Sequence, residues 1–194
     1  MTNTIPGYMT PHECAVLRQI AKNYNQPGAI GVEIGSLHGR SSYELATQLS
    51  MGRLFCIDGW DGYDSSNGAI KNKNAIENNW PTPGTLCTLE FFKENVKDCT
   101  NIIPIKGYSP RVVAKWSDTI DFVFIDALHA NPSDWDNITF WLPKLKPGGT
   151  LAGHDFYPNR QQWPDVHDNV RKLEQQLGKA VTNPANTSIW YFTV

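Results

Sequence analysis

The sequence lacks several features that would assign a chain to a class at once. It has four cysteines, with no CxxC pair and no zinc-like spacing, and no apolar run approaches membrane-spanning length. No block of like charge interrupts the 194 residues, and the net charge of −2 argues against a nucleic-acid surface based on bulk charge. The first residues show no signal-peptide pattern, and buried free thiols suit a reducing compartment, so we expect a cytoplasmic protein.

Length and apolar periodicity instead predict a single α/β domain over residues 1–194. A helical pattern at 10–27 precedes alternating strand and helix patterns, with further helices at 39–50, 85–98, 110–116, 135–145 and 165–177. Predicted strands are 29–34, 53–57, 101–106, 121–126, 150–153, 180–182 and 188–194. The last two are too close for a parallel crossover. The expected fold is therefore a doubly wound, mostly parallel seven-stranded sheet with an antiparallel C-terminal strand.

The turn after the first predicted strand carries the clearest binding signal. Gly35 and Gly39 can take positive φ and let a ligand approach the backbone closely. The helical pattern that begins at Gly39 would direct free N–H groups and the positive end of its dipole at the same turn. The sequence therefore predicts that a nucleoside ligand lies over this turn.

Residues 59–84 form a long stretch that is rich in turn residues and asparagine. It contains three aromatic residues, Trp60, Tyr63 and Trp80. Loops of this length in a compact domain usually have a function or move. We interpret residues 59–84 as a lid or a wall of the substrate site.

Polar residues follow nearly every predicted strand. Ligands of open parallel sheets bind beyond the carboxyl ends of the strands, and clustered carboxylates repel one another unless a cation or hydroxyl groups lie between them. These residues are therefore expected to share a site: Glu33, Asp58, Ser109, Asp126, His154 and Asp155.

Asp58 lies 23 residues after Gly35, where a carboxylate can accept hydrogen bonds from both ribose hydroxyls of a nucleoside. A nicotinamide dinucleotide and S-adenosylmethionine both contain such a ribose. The turn lacks the full three-glycine dinucleotide fingerprint, and Glu33 suits a cationic ligand better than a phosphate. Three functions stay open on these residues: a methyltransferase, an NAD(P)-dependent oxidoreductase, and a non-catalytic nucleoside-binding module.

Four stretches, in this order, resemble the motifs of class I S-adenosylmethionine-dependent methyltransferases, which have a Rossmann-like fold. Within that class the chain is most similar to the small O-methyltransferases of the macrocin and catechol types. The resemblance covers about residues 28–194. The stretches are Val32-Glu33-Ile34-Gly35-Ser36 with Gly39, Ile57-Asp58-Gly59-Trp60-Asp61-Gly62, Phe124-Ile125-Asp126 with His129, and the run from Leu145 through Gly149 to Gly153-His154-Asp155.

The resemblance implies a binding role for each matching residue. Trp60 would pack on or cover the cofactor, Asp58 would bind its ribose, and Ser109 would lie near the adenine. Ser41 and Ser42 would begin the helix beneath the cofactor. The methionine end would be lined by Glu33, Gly35, Ser36 and Gly39.

The resemblance also implies O-methylation of a small-molecule or sugar hydroxyl. The candidate catalytic residues are Asp126, His129 and His154, with either histidine as general base. Mg²⁺ or another divalent ion would be held by Asp126, His154 and Asp155. His154 replaces the usual acid, and Leu128 stands where some relatives have another acid, so strict Mg²⁺ dependence is not expected.

The sequence does not identify the methyl acceptor. The aromatic residues of the stretches at 59–83 and 156–165 suit a sugar or a flat ring equally well. Neither a membrane nor a nucleic acid is indicated as a partner, and a homodimer is one open option for the oligomeric state.

Overall fold

The protein is described from a computed structural model that places residues 5–64, 84–160 and 162–194. Its strands are β1 Ile30–Ile34, β2 Arg53–Asp58, β3 Asp61–Asp64, β4 Leu86–Thr88, β5 Ile102–Lys106, β6 Ile120–Ile125, β7 Leu145–Gly153 and β8 Trp190–Thr193. Its α-helices are α1 Pro11–Lys22, α2 Arg40–Gln48, α3 Leu89–Asn95, α4 Ser133–Trp141 and α5 Pro164–Leu177, and short 3₁₀ turns occur at Arg111–Val113 and Leu142–Lys144.

The main sheet has the strand order β5-β2-β1-β6-β7-β8. The first five strands are parallel, and β8 runs antiparallel to β7. This arrangement confirms the predicted fold class, with six strands in the main sheet of the described chain rather than seven. The predicted strand at 180–182 contributes only a single bridge, between Thr182 and Tyr191.

Helices cover both faces of the sheet, and the alternation of side chains along β6 shows why. Phe122 and Phe124 pack into the core beneath α1, α2 and α3, whereas Val123 and Ile125 pack beneath α4 and α5. All four side chains are buried, as expected for a central parallel strand.

The predicted helix at 85–98 begins later than expected. Residues 86–88 instead form β4, which pairs antiparallel with β3 in a small separate sheet. Thr88 then begins α3, and its hydroxyl accepts a hydrogen bond from the Phe91 N–H at 3.2 Å. Of the proposed lid at 59–84, residues 65–83, including Trp80, lie outside the described residues.

Pro104 lies in the middle of β5, which is an outer strand of the sheet. The Leu54 N–H donates to the Asn101 carbonyl, and the Gly107 N–H donates to the Asp58 carbonyl. In and around β5, the odd-numbered residues therefore form the backbone hydrogen bonds to β2. The nitrogen of Pro104 therefore points away from β2, where no donor is needed.

The turn at Gly35 follows β1 and is held between the ends of the two neighbouring strands, β2 and β6. The Gly35 N–H donates to the Ile57 carbonyl, and the Asp126 N–H donates to the Ile34 carbonyl at 2.8 Å. Gly35 has a φ of 88°, and a Cβ atom added there would lie 1.8 Å from the Asp126 carbonyl oxygen. Only glycine fits this contact, which brings the turn against the end of β6.

His38 lies in the same turn. It is fully buried, with its ring 5.0 Å from that of Phe91. Burial lowers the pKa of His38 to about 4, because the charged imidazolium loses its hydration there.

Among the described residues, no helix combines the length and apolar character needed to cross a membrane.

Replacing Gly35 with alanine should destabilise the fold strongly, because the new methyl group meets a backbone carbonyl. The matched control is Gly148→Ala, since Gly148 has a similar φ of 80° but nothing within 4 Å of its Cβ position. We expect a loss of about 3 kcal/mol in the free energy of unfolding for Gly35→Ala and about 1 kcal/mol for the control. Urea unfolding measures both, and equal losses would contradict the contact.

The buried neutral His38 should make the fold sensitive to acid. Its folded pKa lies below the unfolded value, so the unfolded chain binds more protons and stability falls as the pH drops from about 6.5 towards about 4. Between pH 7.5 and 5, His38 should lower the free energy of unfolding by about 1–2 kcal/mol. Urea unfolding of His38→Gln should show a pH slope that is smaller by this amount. The exposed-site control His12→Gln should keep the full slope, and an unchanged slope in His38→Gln would contradict the assignment.

Candidate active site

Asp58 and Trp60 clamp the glycine turn from the end of β2. The Asp58 carboxylate accepts the backbone N–H of Leu37 at 2.9 Å and that of Trp60 at 3.0 Å. The Trp60 indole N–H donates to the Leu37 carbonyl at 2.8 Å, and its ring packs 4.7 Å from that of Phe92. Burial raises the pKa of Asp58, and these backbone hydrogen bonds oppose the shift.

Trp60 is therefore a core residue in this structure, with 1% of its surface exposed. The predicted packing of its ring on a cofactor stays a prediction. Its visible role is to hold the backbone of the turn in place. Asp58 is only partly buried, so it remains accessible at the strand end where a ribose is expected.

Glu33 lies beneath the turn and is fully buried. It accepts a hydrogen bond from the Ser42 hydroxyl at the start of α2. Burial raises the pKa of Glu33, and the hydroxyls of Ser41 and Ser42 oppose this. Because the carboxylate faces inward, direct contact between Glu33 and a cofactor remains a prediction.

Two buried polar atoms at the turn make no hydrogen bond within the described chain. They are Glu33 Oε1 and Ser36 Oγ. Buried polar atoms are nearly always paired with protein, water or a ligand. Ser36 also lines the cavity at the turn, so its hydroxyl fits a polar ligand end next to Gly35.

A cavity of about 40 Å³ lies at the same place, between the turn and the N-terminal segment. Gly35, Ser36, Asp126, Pro6 and Tyr8 line it, among others. This volume holds water molecules, whereas ligand sites usually exceed about 300 Å³. A larger cavity of about 420 Å³ lies at the opposite end of the sheet, between α1 and β7–β8, away from the predicted site residues.

Ser109 was expected beside an adenine ring. It lies after β5, half-buried, and its hydroxyl accepts a hydrogen bond from the Trp141 indole at 3.1 Å. The structure therefore ties Ser109 to α4, and its contact with a cofactor stays a prediction.

The ends of β6 and β7 bring two carboxylates and two imidazoles together. His129 Nε2 lies 2.6 Å from Asp155 Oδ2 and 3.4 Å from Asp126 Oδ1. His154 Nδ1 lies 3.3 Å from Asp155 Oδ2 and 3.5 Å from Asp126 Oδ1. The predicted catalytic and metal-binding residues thus form one cluster, which we call the acid–imidazole cluster: Asp126, His129, His154 and Asp155.

Opposite charges stabilise the ionised forms in this cluster. Burial alone would raise the pKa of Asp126, but the charge of His154 and the hydrogen bond to His129 hold it below its usual value. Burial likewise opposes protonation of His129, yet Asp126 and Asp155 raise its pKa to about 9. His129 is therefore a proton donor at neutral pH while both carboxylates remain unneutralised.

Three of these side chains fit a divalent ion. One ligand atom each of Asp126, His154 and Asp155 lies within 4.8 Å of the other two. Two ligand atoms at right angles, each about 2.1 Å from one ion, are about 3.0 Å apart. The observed spacings of 3.3 and 3.5 Å are close to this value. Asp155 also has a φ of 60°, a strained conformation of the kind that concentrates at functional sites.

Sequence reasoning missed Glu13 and Ser188 as members of this region. Glu13 also completes the capping box of α1, a pattern that the sequence shows locally as Thr10-Pro11-His12-Glu13. Its Oε1 atom lies 3.1 Å from His154 Nε2, across 141 residues of chain. Burial would raise the pKa of Glu13, but His154 and backbone donors lower it to about 2. A capping signal is local and does not reveal such a distant partner.

The outer side of the cluster is apolar and open. Leu128 is 63% exposed and Trp163 is 45% exposed. The Trp163 ring lies 4.4 Å from the His129 ring. Trp163 therefore offers an exposed aromatic face beside His129 at the edge of the cluster.

Comparison with known proteins agrees with this geometry. A family model described as a methyltransferase domain matches residues 32–156. No curated protein sequence matches the chain.

Solved structures of methyltransferases share the fold. The O-methyltransferase NovP is 18% identical with a TM-score of 0.63, over 93% of this chain and 78% of NovP. A caffeoyl-CoA O-methyltransferase-like protein of Staphylococcus aureus is 16% identical with a TM-score of 0.65, over 96% and 84% of the two chains. An O-methyltransferase of Bacillus cereus in complex with SAH is 18% identical with a TM-score of 0.61, over 98% and 84%.

The family match covers well over half of the chain, from the glycine turn to the acid–imidazole cluster. Of the functions that the sequence left open, it therefore favours a methyltransferase over a nicotinamide-dependent oxidoreductase. The chain belongs to the methyltransferase domain family and is a class I S-adenosylmethionine-dependent methyltransferase.

Proposed function

We propose that the protein methylates a hydroxyl group of a small molecule or sugar, with help from a divalent ion. The observation that carries the proposal is the contact between the two halves of the site. The glycine turn, where a cofactor is expected, lies against the backbone of Asp126, which belongs to the acid–imidazole cluster. A methyl donor over the turn and an acceptor at the cluster would therefore be neighbours. Neighbouring structures that are O-methyltransferases support this reading.

The cofactor would be bound by groups that the fold already holds rigid. Asp58 would accept the ribose hydroxyls with its remaining lone pairs, and Ser36 would meet the methionine end. Gly39 and the start of α2 with Ser41 and Ser42 would support that end. Since the cavity at the turn holds only about 40 Å³, the segment around Pro6 and Tyr8 would move outward when the cofactor binds.

The acceptor would lie between the exposed ring of Trp163 and the carboxylates of the cluster. An exposed tryptophan suits a sugar face or an aromatic ring. Asp126 and Asp155 lie 3.4 and 2.6 Å from Nε2 of His129, so a hydroxyl bound beside His129 would also meet these carboxylates. This combination favours a flat or ring-shaped polyol or phenol.

Catalysis would rest mainly on alignment, because methyl transfer is an in-line displacement at the sulfonium carbon. When bound, a divalent ion would lower the pKa of the acceptor hydroxyl. Asp126, Asp155 and His154 would hold that ion. His129, hydrogen-bonded to Asp155, would receive the hydroxyl proton once the negative charge of the carboxylates is offset.

Cofactor binding should depend on Asp58. Asp58→Ala removes a charge-assisted acceptor for the ribose, so we expect the affinity for S-adenosylhomocysteine to fall about 10- to 100-fold by calorimetry. The control is Asp136→Ala, an exposed aspartate on α4, which should bind as the wild type does. Circular dichroism checks that both variants fold. Absence of binding by the wild-type protein would refute the methyltransferase assignment itself.

Methyl transfer should depend on a divalent ion and on both carboxylates of the cluster. Transfer from labelled S-adenosylmethionine to a panel of phenols and sugars should fall at least about 100-fold in EDTA and return on adding Mn²⁺ or Mg²⁺. Asp126→Asn and Asp155→Asn should each lose a similar factor, with Asp136→Asn unchanged. Activity that persists after exhaustive chelation would remove the ion from the proposal.

A further inference from the structure

We propose that Glu13 is a positioning residue, which keeps a proton on Nε2 of His154 and so leaves Nδ1 as the nitrogen that binds an ion between Asp126 and Asp155, and that the site prefers Mn²⁺ and similar transition ions to Mg²⁺. The inference rests on the proposed ion-assisted function and concerns the same site. It assigns a role to a residue of α1 that lies far from the methyltransferase motifs in the sequence.

The imidazole of His154 stands between two sets of oxygen atoms and is 7% exposed. On one side, Nε2 lies 3.1 Å from Glu13 Oε1 and 2.9 Å from Ser188 Oγ. On the other side, Nδ1 faces Asp126 and Asp155 at 3.5 and 3.3 Å. The ring is therefore held at both nitrogens, and the proton position decides which one can bind a cation.

The hydrogen bonds around Glu13 assign that proton to Nε2. Ser188 donates both its backbone N–H and its hydroxyl to Glu13 Oε1, at 3.0 and 2.9 Å. Having given its single hydroxyl proton to Glu13, Ser188 Oγ can only accept from His154. An ionised carboxylate is also only an acceptor. Two acceptors therefore face Nε2, which keeps its proton. Asp126 and Asp155 face Nδ1 as acceptors too, so Nδ1 also carries a proton until an ion takes its place between the carboxylates. The lone pair of Nδ1 would then meet that ion.

Glu13 is itself fixed by the N-terminus of α1. Its second oxygen, Oε2, accepts the Thr10 backbone N–H at 2.8 Å and the Thr10 hydroxyl at 2.9 Å. The side chain is 5% exposed, so water offers the imidazole little alternative. This is the arrangement in which a carboxylate orients a metal-binding histidine from behind.

The resulting donor set is one nitrogen and two carboxylates. Mg²⁺ prefers oxygen ligands and loses water reluctantly, whereas imidazole is a good ligand for transition ions. A single imidazole in place of an acid also lowers the negative charge that attracts a hard ion. The site should therefore bind Mn²⁺ or Co²⁺ more tightly than Mg²⁺.

The test is metal binding by the whole protein, without turnover. Calorimetry with Mn²⁺, Co²⁺ and Mg²⁺ should give at least tenfold tighter binding of the two transition ions than of Mg²⁺. Pulsed electron paramagnetic resonance of bound Mn²⁺ should show a directly coordinated ¹⁴N nucleus. That signal should vanish in His154→Asp and persist in His129→Gln. His154→Asp should also reduce the ratio of the Mn²⁺ affinity to the Mg²⁺ affinity.

The decisive variant is Glu13→Gln. Glutamine can still complete the capping box with Thr10, so α1 should fold normally. Its amide N–H₂ would face Nε2 and disfavour the proton there, so we expect Mn²⁺ affinity to fall about 10- to 100-fold. The control Glu90→Gln, at an exposed position in α3, should be unchanged. Circular dichroism and the melting temperature check folding.

Three results would overturn the inference: equal affinities for Mn²⁺ and Mg²⁺, a Mn²⁺ signal without coordinated nitrogen, or Glu13→Gln binding Mn²⁺ as Glu90→Gln does. Binding of S-adenosylhomocysteine, measured in EDTA, tests the methyltransferase role separately. If the protein still binds S-adenosylhomocysteine while giving any of these three results, the roles of Glu13 and His154 are wrong but the methyltransferase role stands.

Discussion

The close contact between the Gly35 turn and the backbone of Asp126 is the constraint on which the site depends. It exists because β1 and β6 are adjacent parallel strands that end at the same edge. A side chain at position 35 would collide with the Asp126 carbonyl, so glycine alone lets the two strand ends close. The turn that would hold a methyl donor and the carboxylate beside an acceptor are thereby kept in one fixed relation. Alignment of this kind is what methyl transfer most requires.

Charge balance allows the cluster next to that contact to exist in a buried place. Glu13, Asp126 and Asp155 would repel one another strongly away from water, but the imidazoles of His129 and His154 lie between them. Each histidine contacts carboxylate oxygens of more than one element, so α1, β6 and β7 are joined through charged hydrogen bonds. Buried charges of this kind are tolerated only when they are paired and hydrogen-bonded.

The apolar periodicity of the sequence made most of the fold predictable. The features that were not predicted depend on contacts between residues that are distant in the sequence. The apolar run of β6 and the acid that ends it were located from sequence, as were the glycine turn and Asp58. The segment at 86–88 was mistaken for helix because its leucine continues the spacing of α3, whereas pairing with β3 decides its structure. Residues 180–182 hold too few ladder bonds to form a full strand. Glu13 was missed as a site residue because its contact with His154 joins distant parts of the chain.

Pro104 has a consequence for how molecules of this protein meet one another. An outer strand normally offers unpaired N–H and carbonyl groups to any other strand, which invites sheets to merge and aggregate. The middle of β5 offers no N–H on its outward side, because proline occupies that position. A second chain therefore cannot extend the sheet there with a continuous ladder. The outer strand is protected against edge-to-edge association by one residue that costs the fold no hydrogen bond of its own.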